Sequence, residues 1–248
     1  MILKTHLLLT FVFILLLLAP AFSEELLVAA ASDLTFAFVE IGKQFEKDTG
    51  NKVVFSFGST GMLKEQIRFG APFDVFATAD EYYITKLKDE NLVKMDSIRI
   101  YAKGKLVIAT NKKKKQIKDL HGLLSGEIKR IAIANPDHAP YGIAAKAALI
   151  KAGLWDKLKG KFIFGENAMQ ALQFVQTGNA EAGIIPLSIA KVPEINYELV
   201  NDRLYLPITQ SIAILSKSKK EKSGIKFIDF LCSDKGRAIL KKFGYKLP

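Results

Sequence analysis

The chain has 248 residues, a formal net charge of +11 and a single cysteine, Cys232. One cysteine excludes an internal disulfide framework, so the fold must stand on its core, and 49% apolar residues allow a large one. The charge admits nucleic acid, an anionic membrane or an anionic small ligand as partner. Its densest run, Lys112-Lys113-Lys114-Lys115, follows a strand pattern and reads as a solvated turn. No zinc-finger or RNA-binding signature accompanies it, which argues against nucleic acid.

Residues 1–23 read as a secretory signal peptide. Lys4 precedes the apolar run Leu7 to Leu18, and Ala19-Pro20-Ala21-Phe22-Ser23 offers cleavage after Ala21 or Ser23. The run is short for a membrane span. No cysteine lies near the cleavage region, so a lipid anchor is excluded. The mature protein, about 225 residues of the 248, is expected free and soluble outside the cytoplasm.

From there short apolar runs alternate with helical patterns. Val28 to Ala31 is a strand, and Phe36, Phe38, Val39, Ile41 and Phe45 fall at helical spacing up to Gly50. Val53 to Phe57 is a strand, Met62 to Phe69 a helix, Asp74 to Ala77 a strand and Tyr82 to Glu90 a helix. The pattern restarts after Gly104. Lys105 to Thr110 is a strand, Ile117 to Leu124 a short helix, Arg130 to Ala134 a strand and Gly142 to Gly153 a long helix. Phe162 to Phe164, the helix Ala168 to Gln176 and the strand Ala182 to Ile185 complete a second set. Strand Ser211 to Leu215 follows, and Ile225 to Phe243 is helical, with Phe227, Phe230, Leu231 and Leu240 inward and Cys232 a buried small hydrophobe.

Strands separated by helices of this length imply an α/β fold with parallel sheets covered on both faces. The first set is unfinished until the C-terminal segment returns to it. Two lobes are therefore expected, 24–104 plus 208–248 and 105–207. The connections near Gly104 and Pro207 would hinge a ligand cleft.

Catalytic schemes fare poorly. After signal removal only His121 and His138 remain, too few for a histidine zinc site. There is no Gly-x-Ser-x-Gly elbow, Walker loop or dinucleotide fingerprint, and Gly58-Ser59-Thr60-Gly61 lacks the lysine of a P-loop. Anion binding fares better. Ser32-Asp33, Ser59-Thr60-Gly61, Thr78-Ala79-Asp80, Ala139-Pro140-Tyr141-Gly142 and Glu166-Asn167-Ala168 each follow a strand or open a helix. Free N–H groups at a helix start, beside a hydroxyl, hold an oxyanion without lysine or arginine. Any one of them is also an ordinary N-cap or turn; the set tilts the reading. Asp33 and Asp80 carry the wrong sign to touch an anion and are expected to turn outward and cap helices.

Ala30-Ala31-Ser32-Asp33-Leu34, Phe55 to Gly61, Gly70-Ala71-Pro72-Phe73-Asp74-Val75-Phe76-Ala77-Thr78-Ala79-Asp80, Asn135 to Gly142, and Glu166-Asn167-Ala168 with Gln173 to Ala180 resemble the periplasmic molybdate-binding proteins of ABC transporters. The resemblance runs from about Leu26 to Pro248, with Gly-Ala-Pro-x-Asp-Val-Phe its most specific piece. It implies a type II periplasmic binding protein, a monomer without cofactor or catalysis. Such a protein captures molybdate or tungstate and delivers it to a membrane permease. By position, Ser32 and Thr60 match hydroxyl ligands, with the Asp33 N–H assisting. Ala79 and Ala168 match main-chain donors, and Tyr141 matches a position that contacts the anion through backbone or phenol. The metal is held only as its oxyanion, with no direct cation ligand. Where some members carry a ligand tyrosine this chain has Pro186. Tyr141 is the expected replacement, with Ser188 as a weaker one, and Ser59 completes the candidate set. Two other readings stay open: a receptor for another tetrahedral oxyanion such as sulfate or phosphate, and an exported serine hydrolase using Ser32 or Ser59 with His138.

Overall fold

The computed structural model describes residues 25–248; the proposed signal peptide and its cleavage point lie outside the described residues. Ten strands form two five-stranded mixed sheets. The first has the order β2-β1-β3-β10-β4, with β1 at Leu26–Ala31, β2 at Val53–Gly58, β3 at Val75–Thr78, β4 at Arg99–Gly104 and β10 at Ile208–Ile214. The second has the order β7-β6-β8-β5-β9, with β5 at Leu106–Asn111, β6 at Ile131–Ala134, β7 at Phe162–Gly165, β8 at Ala182–Pro186 and β9 at Ile195–Leu199. The chain leaves the first sheet through Lys105 and returns to it between Leu199 and Ile208.

The central strands are legible because both their faces are covered. All but Leu27 of β1 and all of β3, β6 and β8 are buried, giving the continuous apolar runs of a doubly covered sheet. Strands β1, β2 and β3 run parallel, so their carboxyl ends open at the same edge. Strands β6, β7 and β8 do the same in the second sheet. The closing strand β10 is antiparallel to β3, and β5 is antiparallel to β8.

The helices carry the faces. Helix α1, Thr35–Thr49, buries Phe38, Ile41 and Phe45 at i, i+3 and i+7. The rings of Phe38 and Phe45 meet Phe227 edge-on at 6.0 and 5.4 Å. Phe227 belongs to α8, Glu221–Cys232, so the C-terminal segment covers the first sheet. Each such ring contributes roughly 1.5–3 kcal/mol through burial. The remaining helices are α2 (Thr60–Arg68), α3 (Glu81–Asp89), α4 (Pro140–Lys151), α5 (Trp155–Leu158), α6 (Ala168–Gln176), α7 (Leu187–Ala190) and α9 (Asp234–Lys242).

Asp74, in the most specific sequence motif, has a structural role. Its carboxylate accepts from the Leu27 N–H at 2.9 Å and the Ser218 hydroxyl at 2.8 Å, and pairs with Lys220 at 3.2 Å. It ties the start of β1 to the segment entering α8.

Four elements differ from the sequence expectation. Strands β4 and β9 have no counterpart in it; both are outermost in their sheets, where the charged Arg99, Lys103 and Glu198 interrupt an apolar pattern. The helix expected over Ile117–Leu124 is only a 3-10 turn, Leu120–Leu124, capped by Asp119. The helical run Ile225–Phe243 is two helices, because Ser233 is extended and its hydroxyl caps α9 at the Gly236 N–H. Cys232 is half-buried rather than enclosed.

Candidate functional site

The carboxyl ends of the parallel strands in the two sheets face one another, and the five predicted donor segments lie around the gap. Strand β1 ends in a 3-10 turn, Ser32–Leu34. Strand β2 leads into Ser59, the N-cap of α2, whose Oγ accepts from the Met62 N–H at 3.4 Å. Strand β3 runs through Ala79 to Asp80, the N-cap of α3. In the second sheet β6 leads through Asn135–Ala139 into α4, which opens with Pro140, and β7 leads to Asn167, the N-cap of α6. Gly142 lets the first turn of α4 lie against the end of β6, where a side chain would strike the Ala134 carbonyl.

Ser32, Asp33, Ser59, Thr60, Ala79, Tyr141 and Ala168 line one small cavity, with Ala139 and Pro140 beside them. The Ala168 N–H donates to Ser32 Oγ at 3.0 Å, and the Ala79 N–H donates to Thr60 Oγ1 at 3.3 Å. The first of these bonds joins the two lobes. About 10 Å³ is open to the centre of a water-sized sphere. No lysine or arginine lies among the residues lining it. Ser32, Thr60, Ala79 and Ala168 are buried to 4% exposure or less, so their donors act in a low-dielectric setting.

A second contact closes the rim. Ser59 Oγ lies 2.6 Å from His138 Nδ1, and the Gly61 N–H donates to the His138 carbonyl at 2.9 Å. A Cβ on Gly61 would sit 2.6 Å from that carbonyl oxygen, so only glycine permits this approach. The Ser59 hydroxyl therefore braces one lobe against the other.

The structure places three candidates differently from the sequence expectation. Asp33 does not turn outward; its side chain is buried at 1% exposure. Its carboxylate accepts from Gln210 Nε2 at 3.0 Å and the Tyr245 hydroxyl at 2.8 Å, with the Tyr141 phenol a further partner. Burial pushes the Asp33 carboxyl up to about 6 against those hydrogen bonds. The reason is tertiary: the turn Ser32–Leu34 is sealed beneath α7 and the C-terminal Tyr245. Tyr141, expected to offer its phenol in place of the tyrosine missing at Pro186, commits that phenol to Gln210 at 3.2 Å and to Asp33. Its main-chain N–H lies in the first turn of α4, where no intrahelical acceptor exists. Ser188 donates to the Asp33 carbonyl at 2.8 Å and is not part of the cavity wall. Asp80 behaves as expected, accepting from the Tyr82 N–H at 2.9 Å. Gln210 and Tyr245 escaped the sequence reading, since neither lies in a motif.

The family model for bacterial extracellular solute-binding proteins matches residues 26–246. The chain is 40% identical over 238 residues to the molybdate-binding protein ModA of Azotobacter vinelandii, covering 94% of each. It is 30% identical over 241 residues to that of Escherichia coli strain K12, covering 90% of this chain and 89% of the relative. Among solved structures, the Azotobacter vinelandii periplasmic molybdate-binding protein superimposes with a TM-score of 0.84 at 33% identity, covering 90% of this chain and 99% of that one. The sulfate-binding protein SubI of Mycobacterium tuberculosis shares the fold at a TM-score of 0.73 and 14% identity. With the matched region spanning both sheets and every donor segment, the chain belongs to the bacterial extracellular solute-binding proteins, within the ModA molybdate-binding family.

Proposed function

We propose that this protein captures molybdate, with tungstate as an equivalent ligand, in the periplasm and delivers it to the membrane permease of an ABC transporter. One observation carries the reading: the Ser32 and Thr60 hydroxyls and the Ala79 and Ala168 N–H groups converge on one buried cavity with no basic side chain. Each hydroxyl now accepts from an N–H across the cavity. Seating a tetrahedral oxyanion exchanges those two bonds for four that point at the ligand, and the Tyr141 N–H adds a fifth. Hydrogen bonds to a charged acceptor are roughly twice as strong as neutral ones, which drives the exchange.

Selectivity follows from the donor chemistry. Molybdate and tungstate reach neutral pH as dianions with no proton to give, and a ring of donors satisfies them fully. A protonated phosphate brings a hydroxyl with no acceptor, at a cost of roughly 1–3 kcal/mol. Sulfate is smaller and is discriminated by cavity radius. Capture would favour the state in which the lobes meet at Ser59 and His138, and that state is the one offered to the permease.

Calorimetry of the mature chain with molybdate, tungstate, sulfate and phosphate tests this. Tight binding of the first two and at least 100-fold weaker binding of the others is expected. Sulfate or phosphate binding as tightly as molybdate would reassign the ligand. A second reading, as a serine hydrolase, draws on the 2.6 Å contact between Ser59 and His138. Against it, Ser59 Oγ caps α2 and no carboxylate bonds the imidazole among the described residues. Ester turnover that vanishes in His138→Ala would sustain that reading.

A further inference from the structure

We propose that Asp33 couples oxyanion capture to the uptake of one proton, so that the dianion is held beside a neutral carboxyl rather than a carboxylate. This rests on the oxyanion reading above and deepens it. Asp33 is the residue after Ser32, in the same 3-10 turn, so a carboxylate lies one residue from a cavity hydroxyl. It is buried, and no lysine, arginine or histidine bonds it among the described residues. Two negative charges so placed in a low-dielectric interior repel strongly, and the group that can shed its charge does so.

The groups packed around Asp33 give it no other relief. Strand β10 presents Gln210, a neutral amide whose Oε1 accepts from the Tyr101 hydroxyl of β4 at 3.2 Å. Helix α4 presents the Tyr141 phenol, and the C-terminal segment presents Tyr245. Helix α7 presents the Ser188 hydroxyl, which bonds the Asp33 carbonyl. All three phenols are buried and held well above their ordinary range, so each stays neutral and none is a counter-cation. The titrating partner is thus the carboxyl itself, which burial already raises. Its protonated form still has an acceptor, because the phenol oxygen of Tyr141 or Tyr245 can receive its proton. Solvent buffer supplies that proton as the anion enters. Tyr141 belongs to the second sheet's lobe, so the same network that takes the proton also holds the start of α4 at the cavity.

The sign follows. A group that is charged in the free protein and neutral in the complex makes binding tighten as pH falls. The slope is up to tenfold per pH unit, flattening below the carboxyl's own titration. The test is calorimetry with molybdate between about pH 6.5 and 8.5, above the value of about 6 to which burial raises this carboxyl, in buffers of different ionisation enthalpy. Wild type is expected to take up a fraction of a proton, rising toward one. In Asp33→Asn the buffer dependence disappears and the affinity loses its pH slope. Tyr245→Phe removes a bond to the charged form and should move the pH profile upward. His138→Ala, whatever its affinity, keeps the slope. Identical binding enthalpy in every buffer for wild type overturns the inference without any variant. So does proton uptake that persists in Asp33→Asn or vanishes in His138→Ala. Absence of any molybdate binding would overturn the oxyanion reading itself, a separate outcome.

Discussion

The two sheets share one layout: three parallel strands, an antiparallel closing strand and an antiparallel edge strand. They present different chemistry at the same place in that layout. The first sheet's strand ends offer side-chain hydroxyls, Ser32 and Thr60, with one N–H from Ala79. The second sheet's strand ends offer only main chain, at Ala168 and Tyr141 in the first turns of α6 and α4. A strand-to-helix junction can thus serve an anion in two ways, one tied to residue identity and one tied to backbone geometry. The first is sensitive to any change of side chain. The second tolerates most residues and fails only when the N–H itself goes.

The sharpest way to break this contrast is to delete the hydroxyls. Ser32→Ala and Thr60→Ala should each weaken molybdate binding about 10- to 100-fold, the worth of one hydrogen bond to a charged group. Both should leave the thermal midpoint of the free protein nearly unchanged. Unchanged calorimetric affinity in both variants would remove them from the site. On the other lobe the informative change is Ala168→Pro. Position 168 is the first residue of α6 and Asn167 before it is extended, at φ −148° and ψ 179°. Proline suits the backbone there, but its Cδ takes the place of the amide hydrogen that now points at Ser32 Oγ, so the change removes the N–H and also crowds that hydroxyl. A loss of about tenfold is expected, whereas Ala168→Gly, which keeps the N–H, should stay within about threefold. Equal effects of the two substitutions would show that the main chain is not the ligand.

The smallest effect belongs to the rim. Gly61→Ala places a methyl against the His138 carbonyl and holds the lobes apart without touching the ligand. A few-fold loss of affinity is expected, carried by faster dissociation in stopped-flow, since closing contacts act after encounter. A slower association rate with unchanged dissociation would argue instead for a distorted α2 start.

Much of this was legible in the residues. The runs Leu26–Ala31 and Ala182–Pro186 are apolar throughout because both faces of those strands are covered. The small and hydroxylated residues after β1, β2 and β3 announced donors because little else caps a helix or leaves an N–H exposed to a ligand. Strands β4 and β9 were not legible, since an edge strand shows solvent a charged face. The Asp33 network was hidden for another reason. Its partners Gln210 and Tyr245 stand 177 and 212 residues away, and nothing local marks an aspartate next to a turn as buried.

By itself, then, the sequence determined the α/β alternation, the donor character of five junctions and a resemblance specific enough to suggest the ligand. These are properties of short segments, set by periodicity and by which residues can cap or hydrogen-bond locally. Only the tertiary structure decided which donors meet: Ser32 with Ala168 across the lobes, Thr60 with Ala79, and the Ser59 hydroxyl with His138 at the cavity's rim. It also decided that Asp33 faces inward and that the Tyr141 phenol is held by Gln210. Those outcomes depend on pairs far apart in the chain, which close packing brings together and no local pattern encodes.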